Sequence, residues 1–570
     1  MSDPGRNTAQ GLIRTARQAL TAGDTAAARS AMVKARPGAT GNAALLVALG
    51  DLWARLGDQD AAIDAYRNAL ATAPGDAGPR IALGHALTDA GRADAALGVL
   101  APFDGSAHAD GLACLAGALL AAGQIARAVA TARAARTRAP GHPAAWFLEG
   151  RALAAAHEDE RAMVALDRAA RLRPNTPPIE AERAQVAMRL GQLDTARAAW
   201  ERVLQASPAN DQALDGLAKL LWMTGKAEDI DALFARARAA KPDSPVIAYR
   251  HAQILARMGR AADACRVVTD AQDRGARHPP LQALMADLLR EAGETGAARA
   301  YAQAAYDADP GDLGAALPLI RLSLHQGDPA TALSICRHGL KRSPDDAVWR
   351  AWMLTAQKAL GAPDYRRDAG YDDGISVADI APPQGFRSID AFNAALAERL
   401  MMLHTSQAHP LDQSLRHGTQ TSVPLHRRDD PMIAAFFEAI RPVVDAHIAS
   451  LRAKGPAAWT GQGWRVTGSW SVRLHPGGHH VDHIHDAWIS SAYYVSLPDN
   501  LADQGGGAGH LRFGRPPLPV PGAAEPDFVV TPKPGRLVLF PSWLWHGTIP
   551  FAGPDARLTI AVDLAPRAET

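Results

Sequence analysis

At 570 residues the chain is too long for one hydrophobic core, so several domains or a repeat array are expected. Its 60 Lys and Arg against 59 Asp and Glu leave no global basic field that would hold nucleic acid. A content of 47% hydrophobic and 21% charged residues is the balance of an ordinary globular protein.

No run approaches the ~20 apolar residues needed to span a bilayer, so membrane insertion is not expected. The start, Met1-Ser2-Asp3-Pro4-Gly5-Arg6, lacks the basic region and apolar core of a secretory signal. Cys114, Cys265 and Cys336 lie far apart in helical-looking sequence, which predicts three buried thiols in a reducing compartment. A cytoplasmic location is the expectation.

From the amino terminus the chain repeats. Pro140, Pro174, Pro208 and Pro242 follow one another at 34 residues, and Pro310 and Pro344 resume that spacing after one skipped slot. Within the best-formed unit stand Leu49-Gly50, Trp53, Ala62, Tyr66, Ala69 and Pro74: a small residue where two helices touch, an aromatic knob, and a proline that ends the second helix. This is the tetratricopeptide pattern. About nine units are expected over 42–345, with 1–41 as amino-terminal capping helices. Such helix pairs cannot bury their own apolar faces, so they stack into an all-α solenoid whose concave groove takes a peptide or protein partner.

After one more helix, Ala347 to Leu360, composition shifts through Asp372-Asp373-Gly374 and Pro382-Pro383-Gln384-Gly385, and 346–387 reads as a helical linker. The remaining 388–570 reads as a second domain. It opens with helices at about 388–402 and 430–453, the latter after the cap signal Asp429-Asp430-Pro431, with the polar segment His409–Thr421 between them. From Trp464 on, short alternating segments separated by Gly and Pro predict a sandwich or barrel.

Chemistry concentrates in Gly477-Gly478-His479-His480-Val481-Asp482-His483-Ile484-His485-Asp486. A buried strand is predicted over Trp488–Val495, and another over Gly535–Pro541, which runs into Trp543-Leu544-Trp545-His546. A close pair of ligand-type residues plus a distant histidine is how an open, facial metal site is assembled. A solvated polar edge or an adventitious zinc site is the plainer account of a histidine-rich strand, and the second strand ending in His546 weighs against it.

These residues, with Ser469–Leu474 and Arg557-Leu558-Thr559-Ile560-Ala561, make 388–570 resemble the iron(II)/2-oxoglutarate-dependent oxygenases that bacteria fuse behind tetratricopeptide repeats. The resemblance implies an α+β domain with a double-stranded β-helix (jelly-roll) core, Fe(II) as metal, and 2-oxoglutarate and O2 as co-substrates. Two ligand registers stay open. The superfamily's His-x-Asp is matched by His480 and Asp482, whereas the nearer family's His-x-His lands on His483 and His485; His546 is the distal ligand in either. The two pairs differ in strand parity, so both meet one metal only across a bulge.

The resemblance also implies that Arg557 anchors the far carboxylate of 2-oxoglutarate, with Tyr494 and Thr559 as hydroxyl partners. Arg473 is a weaker candidate for substrate contact. Asp486 is a candidate to orient a ligand histidine, and Trp488, Trp543 and Trp545 to wall the pocket. The function implied is a dioxygenase hydroxylating a peptide or protein side chain recruited by the repeats. The alternatives are a protein-binding scaffold with a degenerate or regulatory oxygenase lobe, and an oxygenase acting on a small molecule.

Overall fold

In the computed structural model the described residues are 4–276, 278–404, 411, 413–454 and 463–567. The chain divides into two compact units, one reaching Ala206 and one beginning at Ser207.

The first unit is wholly helical. Helices Pro4–Thr21 and Thr25–Ala39 pair with each other, and five further pairs follow, from Ala43–Arg55 with Gln59–Thr72 to Pro177–Arg189 with Leu193–Ala206. Small residues set the close approach within a pair. A β-carbon added at Gly50 would lie 2.4 Å from the Tyr66 ring, so only glycine lets that ring close over the first helix. Asp24, Asn42, Asp58 and Asp76 cap successive helices, each side chain accepting a backbone N–H of the first turn.

The second unit begins with four more pairs, from Asp211–Met223 with Asp229–Ala240 to Leu313–His325 with Pro329–Arg342. Helix Ala347–Ala359 stacks after them, its Trp349 packed on Gly339 and only 2% exposed. Cys114 and Cys336 are buried as expected, but Cys265 is half-buried.

The rest of the second unit is a β domain of two antiparallel sheets. Its strands are β1 (Ser376–Asp379), β2 (Leu415–Gln420), β3 (Trp464–His480), β4 (Ile489–Ser496), β5 (Leu511–Phe513), β6 (Phe528–Val530), β7 (Arg536–Pro541), β8 (His546–Thr548) and β9 (Arg557–Pro566). The larger sheet has the order β1-β7-β4-β9-β3-β2 and the smaller β6-β5-β8. The stretch expected to be a helical linker therefore also contributes β1, which pairs with β7 from Ser376↔Leu539 to Asp379↔Arg536.

Strand alternation divides the residues of the larger sheet. Tyr493, Ile560, Val562 and Leu564 face helices Ile389–Met401 and Pro431–Lys454, in a core with Phe392 and Phe436. The opposite parity (Tyr494 on β4; Arg557, Thr559, Ala561 and Asp563 on β9; Trp470 and Val472 on β3) turns to the smaller sheet. Between the two sheets lies a cavity of about 580 Å³, counted to its open mouth and including open solvent. Of the segment His409–Thr421, His409, Pro410 and Asp412 lie outside the described residues.

Candidate metal centre

The cavity is lined by His480, His483, His485 and His546, together with Trp470, Phe540, Arg557 and Thr559. Strand β3 ends at His480, so the cluster is not one regular strand. His483 instead forms an isolated antiparallel bridge with His546, each backbone N–H donating to the other's carbonyl at 2.9 Å. His485 follows with its own N–H on the Ser542 carbonyl at 3.0 Å. The crossing from β3 to β4 is thus pinned against the turn that delivers His546. One potential ligand atom from each of His483, His485 and His546 lies within 4.8 Å of the others.

The second nitrogen of each ring is committed elsewhere. His483 Nδ1 donates to the Val481 carbonyl at 2.9 Å and His546 Nδ1 to the Leu544 carbonyl at 3.0 Å. His485 Nδ1 faces the Asp563 carboxylate at 2.8 and 3.0 Å. With Nδ1 carrying the proton, Nε2 keeps its lone pair, and the Nε2 atoms of His483 and His485 stand 3.0 Å apart. Burial holds His483 and His546 well below the usual imidazole range, reinforced by the neighbouring imidazoles. Neutral imidazoles with converging lone pairs are what a divalent transition metal needs. Asp563 is itself held by Ser490 Oγ at 2.7 Å, and the Trp470 ring stacks on His485 with centroids 5.4 Å apart.

The other register is engaged differently. His480 Nδ1 bonds Ser414 Oγ at 2.9 Å, and burial lowers the His480 pKa to about 3. Asp482 turns away into a two-point ion pair with Arg512 at 2.8 and 2.9 Å, with Arg515 3.7 Å away. This carboxylate sits against the backbone beside His546, where a β-carbon at Gly547 would come within 2.5 Å of Asp482 Oδ1.

Arg557 is 3% exposed and forms no ion pair among the described residues. Among the described residues its guanidinium makes one hydrogen bond, from a terminal nitrogen to the Gly509 carbonyl at 2.8 Å, and its Nε has no partner; the group lies 5.0 Å over the Tyr494 ring. The Tyr494 hydroxyl is also buried without a partner among the described residues. Burying a cation and a hydroxyl unpaired is costly, so this corner of the cavity suits an anionic, hydrogen-bond-accepting group. Thr559 lines the same cavity.

Several expected residues lie elsewhere. Arg473 has the strand parity opposite to Val472 and sits off the cavity, near His404. Asp486 is exposed, and Asp563 makes the contact expected of it. Trp545 does not wall the pocket. Next to His546 on an extended segment, it points the other way, donating from Nε1 to Thr355 Oγ1 at 2.9 Å and meeting Trp352 edge-on at 4.9 Å. Trp488 packs on Trp543 at 6.2 Å, and Arg350 lies 4.6 Å over the Trp543 ring. Neither tryptophan lines the cavity, whose aromatic walls are Trp470 and Phe540.

Residues 468–563 match the family described as "Putative 2OG-Fe(II) oxygenase". Tetratricopeptide-repeat families match 13–77, 115–177, 182–245 and 289–357. No curated protein matches the chain. Among solved structures, a thermophilic tetratricopeptide protein of Thermus thermophilus is 22% identical over 32% of this chain and 99% of its own, with a TM-score of 0.30. A tetratricopeptide protein of Parabacteroides merdae is 16% identical over 50% of this chain and 98% of its own, with a TM-score of 0.31.

Proposed function

We propose, from the premise that this chain joins tetratricopeptide repeats to a C-terminal 2OG-Fe(II) oxygenase domain, that it is an Fe(II)- and 2-oxoglutarate-dependent dioxygenase acting on a peptide or protein side chain. The observation that carries this reading is one cavity holding both His483, His485 and His546 and, beside them, a buried Arg557 with no acid to pair.

His483, His485 and His546 would hold the metal, with Asp563 fixing the tautomer and tilt of His485. Bound there, Fe(II) supplies the activation of O2 that lets 2-oxoglutarate be oxidised together with a C–H bond. Arg557 would hold the distal carboxylate of 2-oxoglutarate through paired N–H donors, with the Tyr494 hydroxyl as an added donor. Trp470 and Phe540 would exclude water, and the two antiparallel sheets support the reading of the domain as a jelly roll. The repeats, a fold that binds extended chains, support a peptide or protein substrate.

Purified protein given Fe(II), ascorbate and 2-oxoglutarate under air should release succinate, and His546→Ala should abolish it. Succinate release that is absent with every candidate peptide, or that survives His546→Ala, would defeat the proposal. Small-molecule turnover without any peptide would turn it toward the small-molecule reading.

A further inference from the structure

The last helix of the repeat array reaches the candidate metal centre by two routes. The first is the Trp545 side chain, adjacent in sequence to His546, whose Nε1 donates to Thr355 Oγ1 on helix Ala347–Ala359. That hydroxyl in turn donates to the Ala351 carbonyl one turn back, so it is held in place to accept. The second route is main chain. Lys358 Nζ donates to the Gly514 carbonyl at 2.9 Å, and the Gly514 N–H donates to the Trp545 carbonyl at 2.8 Å. Lys358 also pairs with Asp527 at 2.8 Å, which the Tyr365 hydroxyl holds at 2.6 Å.

Just before Gly514, Phe513 pairs with His546 across β5 and β8, and Arg512 holds the Asp482 carboxylate next to His483. The loop between β5 and β6 buries Leu518, Val520 and Ala523 in one core with Trp349, Trp352 and Leu319. The repeat-family match itself extends to residue 357, into this helix.

We infer that helix Ala347–Ala359, through Thr355 and Lys358, is a positioning element that sets the register of His546 against His483 and His485, so that the end of the repeat array completes the metal site. The inference rests on the proposed metal-binding role of those histidines. Neither Thr355 nor Lys358 enters the cavity, so each acts only through Trp545 and Gly514.

The test uses the full-length protein and Co(II) as an air-stable probe, read by its visible absorption and by its affinity. Thr355→Val keeps the shape and leaves the buried Trp545 N–H without an acceptor. It should weaken Co(II) binding about tenfold, the low end for outer-shell changes, and alter the Co(II) spectrum. Thr355→Ser, which restores the acceptor, should recover both. Lys358→Met should act in the same direction and serves as the readout if Thr355→Val does not fold. Unchanged Co(II) affinity and spectrum in the folded variants, or equal losses in Thr355→Val and Thr355→Ser, would overturn the inference while leaving the metal reading intact. An unaltered protein that binds no Co(II) would overturn both.

Discussion

Asp563 grips His485 from behind: its two carboxylate oxygens lie 2.8 and 3.0 Å from Nδ1, and the acid is anchored by Ser490. Among the described residues, Asp563 is the one carboxylate hydrogen-bonded to a ring of the triad, and it sits behind that ring, away from the converging nitrogens. Asp563→Asn preserves shape but offers an amide that can equally present N–H to Nδ1, so His485 loses the preference for its ligating tautomer. A loss of about 10–100-fold in Fe(II) or Co(II) affinity is expected, measured by titration of the folded variant.

Arg557 predicts effects of opposite sign on binding and stability. Without an anion, the guanidinium is buried and unpaired, and burial depresses its pKa. Arg557→Met should therefore leave the thermal midpoint of the ligand-free protein unchanged or raise it. Losing charge-assisted bonds worth roughly 1.5–3 kcal/mol should at the same time raise KM for 2-oxoglutarate by about 10–100-fold. Calorimetry and steady-state succinate release check the two halves separately.

Buried histidines away from the metal predict an acid-labile β domain. His404, between the Thr419 and Ser471 hydroxyls, and His447, whose Nε2 has no partner among the described residues, are each lowered to about 4, chiefly by burial. An unfolded chain takes up these protons near pH 6.5 while the folded one refuses them, so stability is full above about pH 6.5 and is lost as pH falls toward 4. The midpoint for unfolding should drop over that window. His447→Leu should reduce the slope, measured by thermal unfolding from pH 7.5 to 4.5.

The boundary between the units predicts which fragment survives. A fragment from Ser207 keeps the partners of Trp349, Trp352 and Trp545, and should fold and bind Co(II). A fragment beginning at Ser376 exposes Trp545, Leu518, Val520 and Ala523 together and should aggregate on expression. Gel filtration of the two distinguishes these outcomes.

The repeats are legible because their period is written in residues with geometric duties, such as Gly50 under Tyr66 and the helix-ending prolines. The histidines are legible as a group because so few residues of that type crowd elsewhere. Spacing alone leaves open which pair meets His546, because the bridge between His483 and His546 is a tertiary pairing and β3 stops at His480. Asp563 was within reach: alternation carried on from Arg557 and Thr559 arrives at it. The same alternation turns Trp545 away from the face of His546, which an argument from aromatic character misses. Strand β1 was hidden because four residues amid Gly and Pro carry too little pattern, and its pairing with β7 is non-local.

The central claim is that His483, His485 and His546 hold one iron. Anomalous diffraction at the iron edge, from crystals loaded with Fe(II) and 2-oxoglutarate without oxygen, tests it most directly. The account predicts a single peak about 2.1 Å from one nitrogen of each of these three rings, with a carboxylate of 2-oxoglutarate on Arg557. A peak bound by His480 and Asp482, or no peak in the cavity, would contradict it.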